Sequence, residues 1–423
     1  MSGLKLWLIL ILSTAATCYS FSQSNGDQYF SDRVETVQIF PPGEPLGEPV
    51  LSLGDGSSTL ELHFDIFGAE LENLEYTFIH CDADWKISDL MPNEYLDGYT
   101  ESYIEDYQFS FNTRQPYIHY MLQFPQTNMN FIKSGNYLLK VYPEDNPENP
   151  LFVKRFFVVD PRITMAGTAK PATSPALRNT HQEVDFEINI QPLKSQFPSR
   201  EIRVFIRQNG RLDNMVKDLQ PLSVTNGIMN FDLEKENIFK GTNSFRYFDF
   251  SSMKFNSEYL DRIDVSGDVN KVYLLEEQVR RFKEFKQGPD FHGRYYIDTK
   301  DWSNPQIEAE YSDVFFRFQY DAPLLHGDVY LIGELANWSF TPYNKMVYNF
   351  ETKAYEATLY LKQGFYSYNY GFVAKDSEIA DITFFENSHY QTQNQYFIFV
   401  YFRATGTTFD QLVGLHVLST NEL

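Results

Sequence analysis

Leu60-Glu61-Leu62-His63-Phe64-Asp65-Ile66 alternates apolar and polar side chains with a period of two. That is the spacing of a strand with one face on a core and the other in water. The pattern recurs on both sides, in Val34 to Phe40, Leu74 to His80, Tyr107 to Thr113, Tyr117 to Phe124, Gly135 to Val141 and Phe152 to Val159. No stretch holds a 3.6-residue apolar repeat long enough to demand a helix, and no heptads appear.

Short strands at this density predict an immunoglobulin-like sandwich over residues 23–160. Asp160-Pro161 opens a new unit, and Pro171 and Pro175 mark an irregular loop before strands resume at Val184 to Ile190 and Ile202 to Arg207. Asn209-Gly210 is a hairpin cue, since both residues tolerate positive φ. Phe245 to Phe250 and Lys271 to Leu275 complete a second sandwich, while Gln278 to Lys286 reads equally as a short helix or an exposed edge. Turn formers between Gln287 and Pro305 surround Tyr295-Tyr296-Ile297, expected as the last strand of the second domain followed by a linker, and further β-type runs follow from Val314 to Val417. The expected fold class is all-β, with tandem immunoglobulin-like and early-set β-sandwich domains. The expected division is 1–22 signal peptide, 23–160, 161–303 and 304–423.

The start of the chain sets the compartment. Lys5 precedes the apolar run Leu6 to Leu12, and small residues follow from Ser13 to Thr17, as in a secretory signal peptide. The run is too short to span a bilayer, which takes about 20 helical residues. Cleavage is expected after Ser22. A cut before Cys18 would instead create a lipid anchor, but Thr17 is bulkier than the residue usual there, and lipidation of Cys18 stays open. Without Cys18 only Cys81 remains, so the core must hold by packing. The 38 Phe and 29 Tyr supply it.

Charge is uneven. Residues 23–160 carry 23 acidic and 7 basic side chains, 161–300 carry 19 and 21, and 301–423 carry 15 and 6. An acidic shell repels nucleic acid and anionic lipid, so neither is an expected partner, and no membrane insertion is expected.

Catalytic patterns are missing. His63, His80, His119, His181, His292, His326, His389 and His416 stand alone, none at zinc-ligand spacing from another. Cys81 lies beside His80, but neighbours on a strand face opposite ways, and Cys81 reads as a core residue. Gly54-Asp55-Gly56 lacks the third glycine of a phosphate loop and reads as a hairpin turn. Asp82 and Asp84 resemble half of a carboxylate pair, yet glycoside hydrolysis needs its two carboxyls about 5–9.5 Å apart and from different elements. Asp264 to Asn270 alternates oxygen ligands around Gly267 but lacks the bidentate Glu of a calcium loop. No enzyme, cofactor, metal or small-molecule substrate is therefore expected.

Val329 to Trp338, followed by Gly364-Phe365-Tyr366-Ser367-Tyr368-Asn369-Tyr370, looks like the early-set sandwich of glycogen- and starch-binding modules. Exposed Trp338 and tyrosines would stack on sugars, making an exported glycan-binding protein the alternative function. Filling of one sandwich face explains the same alternation.

Three stretches carry a wider resemblance: Tyr76-Thr77-Phe78-Ile79-His80-Cys81-Asp82-Ala83-Asp84-Trp85; Asn243-Ser244-Phe245-Arg246-Tyr247-Phe248-Asp249; and Asn387 to Tyr396 with Val400-Tyr401-Phe402-Arg403. In this order, over nearly all of the chain after the signal peptide, they resemble the plug protein family of the type IX secretion system of Bacteroidetes. Gln393 departs from the pattern, standing where an acidic residue is expected. The resemblance implies a non-enzymatic periplasmic plug, peripheral at the inner face of the outer membrane, that binds and seals the periplasmic opening of the giant translocon barrel. The residues that touch this partner are unknown from sequence.

Overall fold

A computed structural model describes residues 27–420; the signal-peptide expectation and Cys18 lie outside them. The strand beginning at Leu60 forms as its periodicity requires: Leu60, Leu62, Phe64 and Ile66 point into a core. Its sheet runs Val34–Phe40, Leu60–Phe67, Tyr117–Phe124, Asp106–Phe109. The facing sheet runs Gln28–Tyr29, Phe152–Val159, Gly135–Pro143, Leu74–Cys81, Glu101–Tyr103, with Val50–Ser52 added in parallel to Phe152–Val159. The turn at Gly54-Asp55-Gly56 therefore crosses between sheets and is not the expected hairpin. Asp55 accepts hydrogen bonds from the Ser57 amide and hydroxyl, which holds that turn shut without a ligand.

The second and third units are nested rather than consecutive. One sheet of the second unit contains Thr164–Pro171, His181–Asn189, Ser223–Thr225, Ile228–Asn230 and Ile238–Lys240. The sheet facing it is Ile202–Gln208, Gln395–Phe402 and Gln411–Ser419, so its middle strand comes from the end of the chain. Val184, Phe186, Ile188, Ile206, Ile398 and Val400 meet in one core. Between these halves, residues 243–387 build a separate unit on an eleven-stranded sheet whose core includes Phe248, Phe316, Phe318, Tyr366, Tyr368 and Tyr370.

The expected boundary at 303/304 is thus corrected: the third unit is inserted in the second. Its stem is tight. Asn243 Nδ2 donates to the Glu386 carbonyl at 2.9 Å, and the His389 amide donates to the Thr242 carbonyl at 2.9 Å. A Cβ on Gly241 would lie 2.1 Å from the His389 carbonyl, which explains the glycine where the two chains cross. The segment around Gln278 is neither helix nor long edge: Glu277–Gln278 adds a short parallel strand beside Phe318 and Gln319, and Arg280 then turns back to Glu386. Among the described residues no helix is long and apolar enough to cross a membrane.

A chain ending at Glu386 lacks the middle strand of the second unit's smaller sheet. Limited proteolysis is expected to degrade residues 161–242 of that chain while the first unit and 243–386 persist. Protection of 161–242 would overturn the nested arrangement.

Candidate interaction surface and the seams that carry it

The polar face of the opening strand does not meet water. His63 is 7% exposed and Asp65 0%, because the third unit covers them. Asp65 accepts from Lys362 Nζ at 2.6 Å, from the Tyr311 hydroxyl at 2.7 Å and from His119 Nδ1 at 2.7 Å. His119 Nε2 meets His63 Nδ1 at 3.1 Å. Although isolated in sequence, the two histidines therefore sit together. They form a chain, with opposite nitrogens of His119 engaged, and not a convergent metal-ligand set. Burial first, and the neighbouring His119 second, push the His63 imidazole down to about 3. Burial opposes ionisation of Asp65, but Lys362 and His119 outweigh it and hold the carboxyl below its ordinary value.

Glu48 makes a three-way joint. Its Oε1 pairs with Arg207 Nη2 of the second unit at 2.5 Å, and its Oε2 with Arg294 Nη2 of the third. Burial pushes this carboxyl up, but the two guanidinium groups outweigh it and leave it below its ordinary value.

Asp82 and Asp84 also serve a seam. Asp82 pairs with Arg403 at 2.9 Å and accepts from the Asp410 amide at 2.9 Å, and Asp84 pairs with Arg203 at 2.8 Å. Beneath them Ala83, Phe157, Phe205, Phe399, Tyr401 and Leu412 bury a second-unit face against the first. Beside them, burial pushes the Cys81 thiol up to about 12, and His80 turns away to Ser88 Oγ at 2.9 Å and the Ser134 carbonyl at 3.2 Å. Cys81 thus has no activating base.

The remaining sequence candidates are likewise absorbed. In the Asp264 turn, Arg114 of the first unit donates to the Gly267 carbonyl and, at 2.5 Å, to that of Val265, while Asp264 Oδ1 accepts from Ser266. Arg114 thus places a guanidinium charge against the carbonyls of this turn. Trp338 packs edge-on to Phe245 and lies where a Cβ on Gly210 or Gly293 would come within 2.3 Å of its ring. Tyr366, Tyr368 and Tyr370 are core residues. None of the four forms an open sugar platform. One carboxylate group missed from sequence, Glu183, Asp185 and Asp232, converges at metal-ligand spacing, but Lys170 already pairs with Asp185 and, at 3.5 Å, with Glu183.

What remains open is the edge of the first unit. Glu101–Tyr103 ends one sheet and Asp106–Phe109 ends the other. Tyr99, Tyr103, Tyr107, Phe109 and Phe111 are all exposed, Tyr99 at 65% and Phe111 at 59%. The stretch 96–111 contains Asp97, Glu101, Glu105 and Asp106 and no Lys or Arg. Clustered exposed rings on a pair of edge strands mark a binding surface. The sequence signal was an alternation of aromatic and acidic residues, and it reads as an ordinary strand until its burial is known.

Three fused β-sandwich units, with polar groups sealed inside the seams and a cluster of exposed aromatic rings on the edge of the first, define a multidomain all-β protein. Residues 34–160 match the family model of the type 9 secretion system plug protein 1st domain. The chain belongs to the type IX secretion system plug protein family, and so takes part in type IX secretion. It is similar to a hypothetical protein from Parabacteroides merdae of known crystal structure, at 35% identity and a TM-score of 0.90, over 93% of this chain and 99% of that one. Likeness to trypsin-activated α-2-macroglobulin from Escherichia coli is 10% identity at a TM-score of 0.18, over 91% of this chain and 28% of that one, and carries no argument. No curated protein matches the chain.

Two outcomes follow from the seams. Glu48→Ala leaves two largely buried guanidinium groups without their carboxylate and is expected to cost about 3–5 kcal/mol in urea unfolding. His63 binds its proton less readily folded than unfolded, so its contribution is complete above the unfolded value of 6.5 and is lost as pH falls toward 3. By pH 5 this one group should remove about 2 kcal/mol. His63→Gln should flatten the urea midpoint between pH 7 and 5, and an unchanged slope would remove His63 as the cause.

Proposed function

We propose that this chain is a non-enzymatic periplasmic plug that binds the outer-membrane translocon barrel of the type IX system and closes its periplasmic opening. The observation that carries the reading is the family match of the first unit, the same unit that presents the aromatic, acidic edge. A stopper needs rigidity more than chemistry, and the buried ion pairs that tie the first unit to the other two supply it. The edge gives contact that can be made and released: tyrosines bury large area at little entropic cost, and surface carboxylates steer toward a basic partner. The peripheral position at the inner face of the outer membrane follows from this role.

The test is purification of tagged protein from native outer membranes with mass spectrometry of what accompanies it. The barrel should be recovered, in amounts that fall as salt rises. Tyr107→Ser with Phe109→Ser, both exposed, should cut recovery at least about fivefold with the thermal melt unchanged. Absence of the barrel would overturn the plug reading. Recovery undiminished in the double variant would move the contact away from this edge.

A further inference from the structure

Between the first and third units lies a cavity of about 1170 Å³, walled by Tyr29 and Glu35 on one side and by Tyr295, Glu334, Tyr343, Tyr360 and Tyr366 on the other. None of the roles above uses it. Its volume lies somewhat above the usual range for small-ligand sites, about 300–1,000 Å³. Strand Val34–Phe40 breaks register between Glu35 and Gln38, and Thr36 adopts φ 55°, a strained conformation for a β-branched residue. Such a bulge re-aims its neighbours. The Thr36 hydroxyl is taken by Tyr311 at 2.7 Å, and Glu35 is left on the cavity wall with no hydrogen-bond or ion-pair partner among the described residues.

The charge balance of the wall is one-sided. Asp32, Glu35, Glu148 and Glu334 face Lys140 and Lys362; Lys362 is already committed to Asp65, and Asp27 on the same wall is paired with Lys154 at 2.7 Å. The tyrosines cluster tightly, Tyr295 stacking on Tyr366 at 5.0 Å, and the charge of Glu35 is felt at Tyr29, Tyr295, Tyr343, Tyr360 and Tyr366. A carboxylate without a partner among aromatic rings is the chemistry that holds an ammonium or guanidinium group, through an ion pair at one end and cation–π contact along the stem.

We propose that this cavity is a binding site for an organic cation, a free amine or the basic side chain of a peptide, with Glu35 as its counter-ion and the tyrosines as its walls. The site is independent of the plug reading and stands or falls without it.

Burial, and after it the charge of Asp65, push the Glu35 carboxyl up to about 8. Asp65 lies on the neighbouring strand, and the other titratable groups on the wall are Lys362 and Glu334 from the third unit and the tyrosines named. A cation binds the ionised form, so affinity should rise with pH from 6.5 to 8.5. Calorimetric titration of the purified protein with spermidine, Gly-Lys-Gly, Gly-Arg-Gly and Gly-Glu-Gly, at physiological salt, tests the site. Saturable binding of at least one cationic probe and none of Gly-Glu-Gly is expected, and the better of spermidine and the peptides distinguishes a free amine from a side chain. Glu35→Gln should weaken binding at least tenfold, whereas Glu148→Gln on the rim should change it less than threefold. Removing a carboxylate that burial disfavours should leave the melt of Glu35→Gln equal or higher, so loss of binding cannot come from unfolding. No saturable binding, or binding equal in Glu35→Gln, would overturn the proposal.

Discussion

Glu48 sits where all three units meet, with one oxygen on an arginine of the second and the other on an arginine of the third. A paired buried charge adds little net stability, because desolvation cancels most of the attraction, but an unpaired one costs several kcal/mol. The consequence is geometric. Any rotation of one unit against another that parts Glu48 from Arg207 or Arg294 strands a charge in the seam. The Asp65–Lys362 pair imposes the same condition on the first and third units; the Asp82–Arg403 and Asp84–Arg203 pairs, partly exposed, add contact between the first and second with a smaller penalty for parting.

This reverses the usual distribution of surfaces. On Leu60–Phe67 the face that should be wet is sealed, with His63 and Asp65 inside. On Glu101–Tyr103 and Asp106–Phe109 the rings that should be sealed are open. The first inversion spends polar groups on fixing orientation. The second leaves apolar area where another macromolecule can cover it, rimmed by carboxylates that choose which one. A body whose units cannot swing presents that edge in one attitude.

The local part of the fold was legible. Period-two alternation located most strands, since it depends only on neighbours along the chain. The nesting was not, because the pairing of Ile202–Gln208 with Gln395–Phe402 spans nearly two hundred residues and leaves no local trace. The seams were hidden for a related reason. A polar residue against another unit and a polar residue against water have the same identity, so His63 and Asp65 read as the wet face of their strand. Asp82 and Asp84 read as a half-built site because two acids close in sequence suggest one; their partners, Arg403 and Arg203, are supplied by the second unit. The turn at Asp264 suggested a cation for similar reasons, and the cation it meets is Arg114.

The stretches that carry the family resemblance include residues that tie the chain's parts together. Asp82 to Trp85 meets the second unit through Arg403 and Arg203; Asn243 closes the stem of the insertion on Glu386; Arg246 pairs with Glu386 at 2.8 Å; and Asn394 binds Gln182 and Asn209 beneath the strand that returns. These are joint residues, and a partner need touch none of them. Their chemistry bears on how the three sandwiches are held together. Stretches that fill the cores of the units and tie them together bear on a common shape more than on a common contact, and shape is the property on which closing an opening depends.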